Sequence, residues 1–206
     1  MVHKQNRSAP VMRAVVDAVA ERLKEEDETL LRIPEVCAAT GVNYGSVYHH
    51  FGSREGVIDA AYEMMFAEIV AQDIEMVRGS VQSTGTFEEF VAFIGPLLHN
   101  LSSGDARRSS RGIRLRVLAA SVTRPRLRRL IGEAQARLTA ELTSVVELCQ
   151  ERGWIRRDLP AVHLAVLLQV VIFGRNLDDA SRTPMSEAEW EQFMFGLFQQ
   201  LMLPTD

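Results

Sequence analysis

The chain has 206 residues, enough for one good core or two small ones, and its 47% hydrophobic and 24% charged content is that of an ordinary soluble globular protein. Two cysteines, Cys37 and Cys149, are too few and too far apart for a disulfide scaffold or a zinc site, and their inward helical positions suit small buried hydrophobes. The longest apolar run, Leu164 to Phe173, is broken by Gln169 and falls short of the roughly 20 residues of a membrane span; with no leader pattern at the start, a cytoplasmic protein is expected.

The net charge of −4 argues weakly against nucleic acid as a partner. Residues 1–56 hold seven Lys or Arg against eight Asp or Glu, so distribution matters more than the sum. Lys4, Arg7, Arg13, Arg32 and Arg54 surround one motif, whereas Glu21 and the run Glu25–Glu28 fall at the far end of the first helix. A cationic face and an acidic back follow.

In chain order, residues 1–9 read as a polar arm, whose His3, Lys4 and Arg7 either touch a phosphate backbone or form a mobile tail. From Pro10 to about Glu26 an amphipathic helix carries Val11, Ala14, Val15, Ala18, Val19 and Leu23 on one stripe. A second helix runs from about Pro34 to Thr40, with Val36 and Ala39 inward, and Gly41 ends it in a left-handed turn. Val42 is expected to be buried at the corner. Asn43 caps a third helix, about Tyr44 to His50, with Val47 inward and Gly45, Ser46 and His49 outward. Such a pair is a helix-turn-helix, whose second helix enters the DNA major groove. The first helix packs across the pair and closes a three-helix domain, with Phe51 plugging its core.

The run Gly-Val-Asn-Tyr-Gly-Ser-Val-Tyr-His-His-Phe-Gly-Ser-Arg-Glu, residues 41–55, resembles the signature of the TetR family of one-component transcriptional regulators. It departs from that pattern in three places. Arg54 stands where lysine is usual, Arg32 where Ser or Thr commonly caps the first motif helix, and Asp27-Glu28-Thr29-Leu30 where a glycine usually precedes the motif. The resemblance implies that Tyr48, His50 and Arg54 bind phosphates, and that Tyr44, Gly45, Ser46 and His49 face base edges or the groove wall. Arg32, Ile33 and Pro34 complete the candidate DNA contacts at the start of the first motif helix. A glycine inside so short a helix costs about 1 kcal/mol relative to alanine, and close backbone approach to DNA is a useful return.

Beyond the motif, Ser53 caps a long helix, about Arg54 to Arg78, that links residues 1–53 to a second domain of residues 54–206. A loop is expected over Gly79–Gly85. Thr86-Phe87-Glu88-Glu89 is a capping box for a helix to about Leu101, which Pro96 should kink. Helices over about 107–121 and 125–152 follow. Another runs from about Ala161 to Leu177, apolar almost all round, and Ser186-Glu187-Ala188-Glu189 boxes in a last one. A helix hydrophobic on every side must be covered on every side. The last two helices therefore read as a homodimer interface of Val166, Val170, Phe173, Trp190, Phe193, Leu197 and Leu201, as the resemblance also implies. The fold class is all-α, an N-terminal helix-turn-helix domain followed by a helical ligand-binding and dimerisation domain.

The apolar residues of 64–118 either fill a core or line a pocket. The resemblance favours an apolar effector pocket framed by Met65, Phe66, Ile69, Phe93, Leu97, Leu118 and Leu138. The arginines between Arg107 and Arg129 suggest a second nucleic-acid site, but a solvated face paired with the surplus acids is the favoured reading. His99 and His163 lack the partners of a metal or catalytic site, and no nucleophile–base pair or phosphate loop occurs. The expected protein is not an enzyme and needs no cofactor; it is a homodimeric repressor that binds double-stranded operator DNA and answers to an apolar small molecule, away from any membrane. A helical protein–protein adaptor is the alternative.

Overall fold

The computed structural model describes residues 8–204, and among these it is helical throughout, with nine helices. They are α1 (Ser8–Glu25), α2 (Ile33–Thr40), α3 (Tyr44–Phe51), α4 (Arg54–Gln82), α5 (Phe87–Ser102), α6 (Asp105–Thr123), α7 (Pro125–Glu151), α8 (Ala161–Asp179) and α9 (Glu187–Met202). The arm with His3, Lys4 and Arg7 lies outside the described residues.

Two compact units share the chain. The first takes the residues up to Glu68 together with Val117–Ile131; the second takes Ile69–Arg116 and the residues from Gly132 onward. The division by packing therefore falls inside α4, α6 and α7 rather than at residue 53. In the first unit α1 packs on α2 and α3, and Val15, Val19, Leu23, Leu31, Val36 and Val47 are almost wholly removed from water. Burial of each such side chain contributes about 1.5–3 kcal/mol. Cys37, not Ala39, joins Val36 on the inward face of α2, and Ala39 is exposed. Phe51 and Val42 are half-buried: the core is filled by the α1 stripe with Val57, Ile58 and Ala61 from α4, leaving Phe51 at its edge, stacked edge-on against His50.

In the second unit α5 packs against α9 and α8 around a core that includes Phe90, Ile94, Trp154, Trp190, Met194 and Phe198. Phe90 stacks on Trp154 at 5.1 Å, and the Arg152 guanidinium lies 4.6 Å from that indole on the ring face. Two capping boxes set the starts of these helices: Thr86 with Glu89, and Ser186 with Glu189, both with reciprocal bonds made. Helix α4 runs on through the expected loop to Gln82, because Val81 beyond Gly79 is buried and anchors the extra turn.

Helix α8, at 19 residues and mean hydropathy 1.4, is long and apolar enough to cross a membrane by length and composition. The run Leu164–Phe173, interrupted by Gln169, is only part of that length. Its C-terminal end nevertheless holds a buried Arg175 paired with Asp178 and Asp179, a cluster costly to place in lipid.

Candidate nucleic-acid interface and effector cavity

Helix α3 is positioned by short-range chemistry. Gly41 adopts φ 68°, which lets the chain reverse after α2. Asn43 Oδ1 then accepts from the N–H groups of Gly45 and Ser46 at 2.8 and 3.3 Å, satisfying two donors that the helix start leaves open. Val47 faces the core, so Tyr44, Gly45, Ser46, His49 and His50 are turned to solvent as one polar face. Tyr48 is half-buried, its ring 4.4 Å from that of Tyr44, and the hydrogen bond to Tyr44 together with burial raises its phenol above the ordinary tyrosine range. Gly45 has a local reason as well: a Cβ there would lie 3.1 Å from the capping oxygen of Asn43.

The start of α2 divides the remaining candidates. Arg32 and Pro34 are exposed. Arg32 makes no side-chain cap; its carbonyl alone accepts from the N–H groups of Glu35 and Val36 at 3.1 and 3.3 Å. Ile33 is 1% exposed and belongs to the core, so its side chain does not reach the groove rim as expected. The helical period requires this, since Ile33 shares a face with Val36 and Cys37.

Arg54 also differs from expectation. It is half-buried, and its Nη2 donates to the carbonyls of Glu28 and, at 3.2 Å, Leu31. The guanidinium ties the start of α4 to the segment between α1 and α2. Arg13 likewise pairs with Asp17 and Glu68. The cationic face drawn from composition is therefore partly spent on internal ties. Gly56 was unmarked in the sequence: a Cβ there would come within 2.1 Å of the Phe51 carbonyl, so only glycine lets α4 start this close to α3. Arg124 bridges Glu28 at 2.5 Å and Asp59 at 3.1 Å in the same unit.

The second unit contains a cavity of about 100 Å³. Ile69, Leu97 and Leu138 line it as expected, whereas Met65, Phe66 and Leu118 belong to the first unit and Phe93 is not part of the lining. Met65 and Phe66 are both buried. Nor is the lining purely apolar. Asp73, Arg107, Ser110, Arg111, Arg114 and Gln169 also face it. Arg107 and Arg114 share Asp73 at 2.9 and 2.6 Å, and Arg111 pairs with Asp179 at 2.5 Å. These arginines are not the solvated face expected of them. The signal was present: Arg107, Arg111 and Arg114 are spaced i, i+4, i+7, which places them on one side of α6.

On α8, Val162, Val166, Val170 and Leu177 are exposed at 43, 45, 60 and 83% along one side, and α9 adds Phe193 and Leu201. Leu197 is half-buried. Trp190 and Phe173 leave the expected interface. Trp190 is buried beneath the Arg175 guanidinium, 4.8 Å from its ring centre, and Phe173 is half-buried and lines the cavity.

Residues 15–61 match the family of bacterial regulatory proteins named for tetR. Over 196 residues the chain is 20% identical to the HTH-type transcriptional regulator UidR of Escherichia coli K12, covering 93% of each protein. Among solved structures, a TetR-family transcriptional regulator from Mesorhizobium loti aligns with TM-score 0.73 and 16% identity, over 96% of this chain and 99% of that one. A transcriptional regulator from Saccharomonospora viridis in complex with choline aligns with TM-score 0.71 and 17% identity, over 96% and 100%. Residues 15–61 thus match the DNA-binding domain of TetR-family regulatory proteins, and nearly the whole chain shares the fold of these solved regulators.

Proposed function

We propose that the protein is a cytoplasmic homodimeric repressor that binds a palindromic operator and is released from it by a small molecule entering the cavity of the second unit. The observation that carries this reading is the Asn43-capped α3, whose outward residues are all small, polar or aromatic. Ser46, His49 and Tyr44 are placed to meet base edges, Gly45 to bring backbone near the groove wall, and His50, Tyr48, Arg32 and Pro34 to meet the phosphate backbone and groove rim. An adaptor would have no use for that face.

The exposed stripe Val162–Val166–Val170–Leu177, joined by Phe193 and Leu201, supports a dimer through a four-helix bundle of α8 and α9 with a second copy. Two-fold symmetry then sets two α3 helices about 34–36 Å apart on successive major grooves. Release requires the effector to act on α4, whose residues from Ile69 onward line the cavity unit and whose start is tied by Arg54 within the first unit. A coupling of about 1–3 kcal/mol is sufficient. The choline bound to the Saccharomonospora viridis neighbour is consistent with small-molecule control in such a fold.

Selection of the refolded protein against a random duplex library tests the reading. The expected result is an enriched palindrome with half-sites about one turn apart and affinity that falls as salt rises. Failure to enrich any sequence would overturn it and favour the adaptor.

A further inference from the structure

We infer that the cavity of the second unit accepts a small amphipathic carboxylate, its apolar body among Ile69, Val77, Ile94, Leu138 and Phe173 and its anionic head at the arginines of α6. This deepens the proposal of an effector and rests on it only for the regulatory consequence, not for the ligand class. The cavity, at about 100 Å³, is smaller than the roughly 150 Å³ space that holds benzene in an engineered lysozyme, so a short branched chain is the size indicated and one ring is the upper limit.

Charge selects the head group. Of the arginines in the lining, Arg111 is held by Asp179, whereas Arg107 and Arg114 share the single carboxylate of Asp73. Arg107, Arg114 and Asp73 are only 15–18% exposed, so their charges sit where water screens poorly. One carboxylate serving two guanidiniums holds both forks in place at the cavity wall, and a guanidinium accepts carboxylate oxygens in a planar, bidentate manner. A cation of the same size would meet this wall at a disadvantage, so the ligand differs in sign from the choline of the structural neighbour.

The test uses the full chain and three probes that share a phenyl ring: phenylacetate, 2-phenylethanol and phenethylammonium. Titration calorimetry is expected to give phenylacetate at least tenfold tighter binding than the alcohol, with the ammonium weakest. Arg107→Gln removes one of the two guanidiniums on Asp73, so the variant should melt cooperatively yet lose most of the tenfold preference. Leu138→Trp fills the cavity and should abolish binding of all three. Equal affinity for the acid and the alcohol, no binding of phenylacetate, or a preference that survives Arg107→Gln would each overturn the inference. Operator affinity measured with and without phenylacetate separates the two readings: tight, acid-selective binding that leaves DNA affinity unchanged keeps the ligand class and removes effector release.

Discussion

Helices α3 and α8 are both partly exposed, but for opposite reasons. Helix α3 spans 8 residues and turns Tyr44, Gly45, Ser46, His49 and His50 outward; α8 spans 19 and turns valines and Leu177 outward. A polar face can remain in water until a polyanion displaces that water, so α3 needs no permanent partner. An apolar stripe left in water forgoes about 25 cal/mol for every Å² of it that could be buried, so α8 calls for a constant one. On both helices the exposed side chains support the proposed roles. The chemistry of what is exposed separates a reversible contact from an obligate one.

The contrast can be broken most strongly on α8. The double substitution Val166→Glu and Val170→Glu should weaken self-association at least a hundredfold, read by sedimentation equilibrium, because like charges would face one another across the two-fold axis. A sedimentation mass unchanged by the substitutions would remove this stripe from the interface.

On the other side, Arg54→Ala should cost about 1.5–3 kcal/mol of stability, the value of charged hydrogen bonds to the carbonyls of Glu28 and Leu31. In urea melts the variant should unfold earlier, while the salt slope of operator binding stays as it was. A slope shallower by about one unit would instead assign Arg54 to a phosphate, as the resemblance implied. Smaller still is Asn43→Ala, which removes the cap of α3 and should cost about 1 kcal/mol; Asn43→Asp should restore most of the helix stability. Equal stability of all three forms in thermal melts would mean that tertiary packing alone holds α3.

The smallest effect concerns α5 and α9. Glu191 Oε1 bonds Ser103 Oγ at 2.7 Å and His99 Nδ1 at 2.6 Å, and the Ser103 bond, with help from His99, holds its carboxyl below the usual glutamate range. A depressed folded value means that its stabilisation is present above the unfolded value near about pH 4.3 and is lost as pH falls through the folded one. The melting temperatures of the wild type and Glu191→Gln should differ above about pH 5 and converge in stronger acid. A difference that persists in strong acid would point to packing instead.

The cysteines fit the same division between local and distant causes. Burial pushes Cys149 up to about 11 and raises Cys37 as well, consistent with inert core thiols read from helical position alone.

What the residue order determined by itself was everything that acts over three or four positions. The caps at Asn43, Thr86 and Ser186, the left-handed turn at Gly41, and the inward placing of Val47 follow from hydrogen-bond reach and the helical period. So do the all-helical class and the start of nearly every helix. The tertiary structure alone decided which side chains meet across the chain. Ile33 fell to the core and Arg54 to carbonyls more than twenty residues away; Trp190 went beneath Arg175, and Met65 and Phe66 into the first unit. Arg107, Arg111 and Arg114 form an evident i, i+4, i+7 row, yet whether such a row faces water or an aspartate on α4 depends on helix packing. Ion pairs and cavities are made between elements distant in sequence, and no local rule specifies which surfaces those elements bring together.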